Sequence, residues 1–274
     1  MKRMQVNVTK GKPLISVSFV IPVYNEEDRI GTTLTALKQL RMPAGLTLKE
    51  VIFINDGSKD KTTAAINKAK AGLKKKLKAR ITLVSYDHNR GKGYAVRVGM
   101  LTSDADYTLF FDADISTPLD QLRKFAAPMR HGADVIIGTR KNGKSTVLVH
   151  QPWYRQLLGK GFTLLSNIVM NVWVNDFTCG FKAFSREALY QVFTHARINR
   201  WGYDSEILFL AKKFGYTICQ IPVTWSNDER TKVDLSKAVF STLHELYTIR
   251  RNDANGLYSR RCSTRIKKFT PIVA

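Results

Sequence analysis

Apolar residues gather along the first half of the chain in short runs: ISVSFVI (15–21), EVIFI (50–54), ITLVS (81–85), YTLFF (107–111) and ADVIIG (133–138). Each run is too short for a stable helix and is rich in β-branched or aromatic residues, so each predicts a buried strand. Between them, at 28–40, 60–79, 92–102 and 118–131, apolar positions recur at helical spacing. Strands alternating with helices predict βαβ units and a Rossmann-like, doubly wound, mostly parallel α/β sheet. The second half is less regular. A Trp-containing apolar stretch (152–174) predicts a helix, and NDFTCGFKAF (175–184) a turn feeding a short strand. Helices are expected near 185–194 and 203–214, a strand at 217–225, and a last helix near 236–250. With no repeat and no clear linker, residues 1–250 are expected to form a single domain, followed by a basic tail at 251–274.

In sheets of this kind ligands bind beyond the carboxyl ends of the strands. The residues found there are PVYNEED, NDGSKD, YDHNRGKG, DADIST and TRKNGKS, so acidic, glycine and basic residues collect at one edge. DADIST sets Asp112 and Asp114 one residue apart at a strand end. Carboxylates that close repel, and a hard divalent cation relieves the repulsion. Mg²⁺ is commonly held by one or two carboxylates plus the phosphates of a substrate. A pair of solvated loop carboxylates is the plainer alternative. A glycosidase acid/base pair would have to flank a bond from two sides, which one short loop does not allow.

In NDGSKD, Ser58 and Asp60 are placed to cap the following helix. Asp56, at the strand end, is better placed to accept a hydrogen bond from a base N–H. Gly91 lets the backbone approach a ligand, with Lys92 near phosphate, although the P-loop spacing is absent. Arg140 ends the fifth strand and Arg155 opens the apolar helix. Guanidinium suits bidentate phosphate binding, yet either residue can equally be a surface arginine.

Charge sharpens the picture. Lys and Arg number 44 against 22 Asp and Glu, a formal net charge of +22. A chain this basic seeks phosphate, in nucleic acid, on an anionic membrane surface or on a small molecule. Nucleic acid is disfavoured, because acidic strand-end loops repel a phosphate backbone and no recognised binding motif is present. Cys179, Cys219 and Cys262 lack metal-ligand spacing, and MKRMQVNVTK lacks the apolar core of a secretory signal. A reducing, cytoplasmic setting is therefore expected. No stretch reaches the roughly 20 apolar residues that span a bilayer. The segment FTLLSNIVMNVWV (162–174) is expected as a buried helix or, failing that, an interfacial one.

Together VSFVIPVYNEED, EVIFINDGSKD, NRGKGYAVRVGM, FFDADIST and NDFTCGFKAF resemble the family 2 inverting glycosyltransferases of the GT-A nucleotide-diphospho-sugar transferase fold. The similarity covers about residues 15–250 and is strongest to the polyprenyl-phosphate (dolichyl-phosphate) glucosyl- and mannosyltransferases. The segments D-x-x-C-G-F-K (Asp176 to Lys182) and W-x-x-D-x-E (Trp201 to Glu206) point more narrowly to the dolichyl-phosphate glucosyltransferases.

The resemblance implies a metal-dependent hexosyltransferase using Mg²⁺ or Mn²⁺. It would move glucose for preference, from a nucleotide sugar (UDP-glucose favoured, GDP-mannose possible) to a polyprenyl or dolichyl monophosphate, giving a β-linked product. It implies that Pro22, Tyr24 and Glu26 line the nucleoside pocket, with Asp56 on the edge of the uracil or guanine. Asp112 would lie near ribose and metal, and Asp114 on the metal, helped by Ser116. Arg140 and Arg155 match acceptor-phosphate positions, and Asp176 the active-site wall, so that Asp114, Arg140 and Asp176 form the catalytic set. A lipid phosphate is already ionised and attacks without a strong base. A GT-A enzyme acting on a sugar or protein hydroxyl would need one, and Asp204 or Glu206 are the candidates. The expected location is peripheral, on the cytosolic face of a membrane, through the basic surface and the 153–174 segment.

Overall fold

β1 (Ile15–Val23) and β4 (Tyr107–Phe111) lie side by side in the interior of a seven-stranded sheet, and both end where acidic loops begin. The computed structural model describes residues 14–259 apart from 142, 144, 150–152 and 228–234, and leaves the side chains of 153–155, 235–240 and 242 undescribed. The remaining strands of the sheet are β2 (Leu46–Asp56), β3 (Arg80–Tyr86), β5 (Val135–Thr139), β7 (Phe181–Ser185) and β8 (Ile218–Pro222). Their order is β3-β2-β1-β4-β7-β5-β8. Every pairing is parallel except those of β7, which runs antiparallel to β4 and β5.

Helices α1 (Ile30–Gln39), α2 (Thr62–Leu77), α3 (Lys92–Thr102) and α4 (Leu122–Arg130) follow the first four strands, within a few residues of the expected positions. Alternate residues of the central strands enter separate cores on the two faces. Val20, Ile52 and Phe110 pack with α3 and α7 (Tyr203–Lys213), while Phe19, Phe53 and Leu109 pack beneath α1, α2 and α4. Both faces being covered, the strands read as continuous apolar runs.

β7 owes its direction to α5 (Trp153–Met170), which delivers the chain to the carboxyl edge of the sheet. Phe181 pairs with Phe111, so residues 176–180 fall beside Asp112. The strand expected at 217–225 is two strands. β8 stops at Pro222, and β9 (Thr224–Ser226) leaves to pair with β6 (Thr146–Val149), which lies just beyond TRKNGKS.

The last helix, α8 (Leu235–Ala254), runs past residue 250, and Tyr258 is completely buried with its hydroxyl donating to Glu206 Oε1. The first residues of the expected tail are thus packed against the domain; residues 260–274, Cys262 among them, lie outside the description.

α5 is neither wholly buried nor ordinarily amphipathic. Thr163, Ser166 and Asn167 face inward, whereas Leu157, Leu164 and Ile168 are about 60% exposed (62%, 58% and 60%). Two of the polar side chains have partners inside: Asn167 Nδ2 donates to the Val174 carbonyl, and Lys141 Nζ donates to Gly159 O and Thr163 Oγ1. Among the described residues, no helix is long and apolar enough to cross a membrane.

Candidate active site

The loops after β1 and β2 are stitched together by their own side chains. Ser58 Oγ accepts from Asn25 N at 2.9 Å, Asn25 Oδ1 from Lys59 N at 2.9 Å, and Thr62 Oγ1 from Glu26 N at 2.8 Å. Asp60 accepts from Thr62 N, the helix-start role expected of it, whereas Ser58 serves the cross-link instead. These loops enclose a cavity of about 490 Å³ whose lining includes Pro22, Tyr24, Glu26, Asp56, Gly91 and Asp112, all the residues expected around a nucleoside. Asp114, Lys92 and Trp201 complete the wall toward the sheet centre.

Two of these residues also have close partners within the protein. Asp56 is 3% exposed, and its carboxylate already accepts from Asn89 Nδ2, Arg90 N and Gly91 N at 2.7–2.9 Å. It is first a brace for loop 89–91. Gly91 has φ +101°, a conformation other residues rarely adopt, and a Cβ there would strike the Asn199 carbonyl. The close approach that requires glycine is to the Asn199 carbonyl, and Gly91 also lines the cavity. Glu26, for its part, is gripped by Arg29, whose Nε and Nη2 donate at 2.6 and 2.7 Å.

Asp112 and Asp114 stand where β4 gives way to a tight turn. The turn forces Ile115 to φ +55°, an unusual setting for a β-branched residue that costs on the order of 1–3 kcal/mol. Ser116 N donates to Asp114 Oδ1 at 2.9 Å. Burial and the neighbouring Asp112 push the Asp114 carboxyl above its ordinary range. Asp112 is pressed against Gly180, where a Cβ would occupy the space of its carboxylate. The cation beside it is Lys92: Nζ lies 2.6 Å from Asp112 Oδ1 and 5.9 Å from the Trp201 ring centroid. Burial disfavours the ammonium, yet Asp112 and its acidic neighbours hold its pKa above the usual value.

The donor set suits a divalent cation. Among the described residues, no group of three His, Cys, Asp or Glu side chains is placed to hold a metal. Asp112 and Asp114 offer two carboxylates, one crowded by the other and one whose buried Oδ1 is met by the Lys92 ammonium. A hard cation that takes its remaining ligands from substrate phosphate fits such a pair.

On the far side of the same two carboxylates lies a smaller cavity of about 90 Å³, lined by Ser116, Arg140, Gly180 and Trp225 among others. Arg140 is stacked 5.2 Å from the Trp225 ring centroid and fixed from behind by Asp176. Asp176 is wholly buried and lines neither cavity, so it stands one layer behind the expected active-site wall. Burial opposes its charge, but Arg140 holds its pKa well below the usual carboxylate range. The adjacent Cys179 thiol is pushed up to about 11 by burial, so it stays protonated at neutral pH. Arg155 falls on the first turn of α5, and its side chain lies outside the description.

The two narrow motifs meet each other. Lys182, fully buried, donates to Asp204 Oδ1 at 2.5 Å and to the Cys179 carbonyl at 2.7 Å. Glu206 accepts from Arg197 N, Ile198 N and the Tyr258 hydroxyl. Both candidate bases for a hydroxyl acceptor are therefore engaged in holding the fold. Trp225 escaped the sequence reading because a lone tryptophan in a strand is ordinarily core. Trp201 was visible only as a motif letter.

Residues 18–193 match the model of the Glycosyl transferase family 2 family. Dolichyl-phosphate beta-glucosyltransferase of Dictyostelium discoideum is 31% identical over 86% of this chain and 74% of its own length. The protein of that name from Homo sapiens is 31% identical over 81% of this chain and 70% of its own. In Saccharomyces cerevisiae the figures are 31%, 90% and 78%. Among solved structures, glucosyl-3-phosphoglycerate synthase from Mycobacterium tuberculosis, in complex with Mn²⁺, UDP and glucosyl-3-phosphoglycerate, superposes with a TM-score of 0.60 at 20% identity. That alignment covers 88% of this chain and 80% of the other. Mannosyl-3-phosphoglycerate synthase from Rubrobacter xylanophilus gives 0.58 at 19% identity, over 92% and 79%. These likenesses carry the GT-A fold.

Proposed function

The chain belongs to glycosyl transferase family 2, and from that premise we propose that it transfers glucose from UDP-glucose to dolichyl or a related polyprenyl phosphate. The observation that carries this reading is the partition: Asp112 and Asp114 line both the nucleoside-sized cavity and the small cavity that Arg140 enters. A nucleotide sugar on one side and an anionic acceptor on the other would meet across that wall. The dolichyl-phosphate beta-glucosyltransferases at 31% identity support glucose and a lipid phosphate as the two partners.

Pro22, Tyr24 and Glu26 bound the space for the nucleoside, and Asp56 keeps loop 89–91 closed around it. Asp112, Asp114 and Ser116 would hold Mg²⁺ or Mn²⁺, which when bound supplies positive charge against the departing nucleoside diphosphate. Arg140, kept in one rotamer by Asp176 and Trp225, presents its guanidinium to the acceptor phosphate, with Arg155 as its expected companion. An ionised phosphate needs orientation and charge, not proton removal, so no general base is called for. In-line attack opposite the leaving diphosphate inverts the anomeric centre and yields a β-linked lipid phosphosugar.

The acceptor is a lipid, and a cytosolic membrane surface is where it would be met. Leu157, Leu164 and Ile168 exposed on α5 suit an interfacial helix, and a chain of net charge +22 suits anionic headgroups. Lys141 ties α5 to the residue after Arg140, which would set the membrane beside the acceptor cavity.

The test is a panel of radiolabelled nucleotide sugars with a short polyprenyl phosphate, with and without EDTA. Metal-dependent transfer from UDP-glucose into the lipid is expected. Transfer from GDP-mannose alone as donor would revise the sugar; transfer only to a sugar or protein hydroxyl would overturn the reading.

A further inference from the structure

Lys92 heads α3 and reaches into the larger cavity, where its ammonium sits 2.6 Å from Asp112 Oδ1. This oxygen is buried and has no hydrogen-bond partner beyond that ammonium. A Cβ at Gly180 would overlap the Asp112 carboxylate, so the bare glycine leaves the carboxylate the room it occupies beside the lysine. Nor is Lys92 locked: its side chain is 27% exposed, Asp112 is 31% exposed, and the nearest ring, Trp201, offers only a face 5.9 Å away. The buried Lys182–Asp204 pair shows the contrast. There the lysine is wholly buried, hydrogen-bonded to Asp204 and to a backbone carbonyl, and has nowhere to go.

We propose that Lys92 is an exchangeable counter-ion for Asp112: it occupies the carboxylate while the cavity is free of donor, and yields it to the divalent cation when metal and nucleoside diphosphate arrive together. The released ammonium then lies in the same cavity as the diphosphate and binds it. The exchange keeps a cation on the carboxylate throughout, and the added positive charge of the metal is offset by the diphosphate that arrives with it. It also makes binding ordered by electrostatics, because metal alone must displace the lysine with nothing to receive it. The inference rests on the reading of Asp112 and Asp114 as the metal's protein ligands.

The experiment is titration of Mn²⁺, followed by electron paramagnetic resonance of the free ion, in the presence and absence of UDP. Calorimetric titration of UDP runs alongside. Lys92→Met keeps the length of the side chain and removes the charge. Relative to the wild type it should bind Mn²⁺ alone about tenfold or more tightly, and UDP about tenfold or more weakly, the size of a lost charge-assisted contact. Opposite signs in the two affinities are the signature. A lysine with only a structural role would not raise metal affinity, and a lysine that only binds phosphate would leave it unchanged; either result overturns the proposal. Lys92→Arg should retain weak metal binding, and Lys92→Gln should behave as Lys92→Met if the latter fails to fold. Asp114→Asn separates this inference from its premise. If that variant binds Mn²⁺ as the wild type does, with and without UDP, the metal-site reading fails whatever Lys92 does.

Discussion

Arg140 is locked to Asp176 fork to fork, with Nε donating to Oδ2 at 2.7 Å and Nη2 to Oδ1 at 2.8 Å, and the carboxylate has no contact with solvent. The backbone N–H of Arg140 donates to the same carboxylate, so side chain and strand end are fixed by one group. Replacing Asp176 with Asn leaves a buried guanidinium without its counter-charge, a loss of about 3–5 kcal/mol in comparable pairs. Asp176→Asn is therefore expected to lower the urea midpoint clearly and to raise the acceptor KM. Donor affinity, measured by nucleotide titration, should change little. A variant as stable as the wild type would show that the pair is not buried in solution.

The same pair sets an acid limit. The pKa of Asp176 is depressed in the fold, so its stabilising contribution is complete above the unfolded value, near 3.9, and drains away as pH falls below it. The stability gap between wild type and Asp176→Asn should hold from about pH 7 to about pH 5 and narrow below about pH 4. Urea melts at several pH values check this. A gap that closes near neutrality would point to another group.

Gly180→Ala tests the tight fit behind Asp112. The added methyl would overlap the Asp112 carboxylate, which can swing aside because it is the end of a side chain. The fold should survive, while metal-dependent UDP binding weakens about tenfold or more, as for a lost charged ligand. Unchanged metal-dependent binding would mean that Asp112 has room the geometry denies it.

Arg140 is expected to act on the acceptor and not on the donor. Arg140→Ala should raise the KM for polyprenyl phosphate or lower turnover by roughly ten- to a hundredfold, the equivalent of a charge-assisted bond. Arg140→Lys should recover part of this, because ammonium keeps the charge but loses the planar fork. If the alanine variant loses UDP affinity while acceptor kinetics stay normal, Arg140 belongs to the nucleotide site.

The outward leucines of α5 predict binding to anionic vesicles that weakens with salt, as the Debye length shrinks to about 3 Å at 1 M. Leu164→Glu with Ile168→Glu should reduce co-sedimentation more than either reduces transfer to a detergent-dispersed short acceptor. Wild-type protein that stays in the supernatant at low salt would remove the membrane surface from the proposed function.

Much of this protein was determined by local order in the chain. β-branched and aromatic runs, separated by helical spacing, were enough for β1 to β5 and α1 to α4, because strands covered on both faces have a pattern that depends only on nearby residues. The residues just past those strands could be assigned to one edge for the same reason, and Pro22, Tyr24, Glu26, Asp56, Asp112 and Asp114 do share a wall. What tertiary structure alone decided is which charges answer one another. Lys92 on Asp112, Arg140 on Asp176 and Lys182 on Asp204 join residues 20 or more positions apart, and Coulomb energy depends on distance in space, about which spacing in the chain says nothing. The direction of β7, the break between β8 and β9, and the outward leucines of α5 are of the same kind. Each depends on what packs opposite, and an apolar residue reads the same in sequence whether it faces a core or solvent.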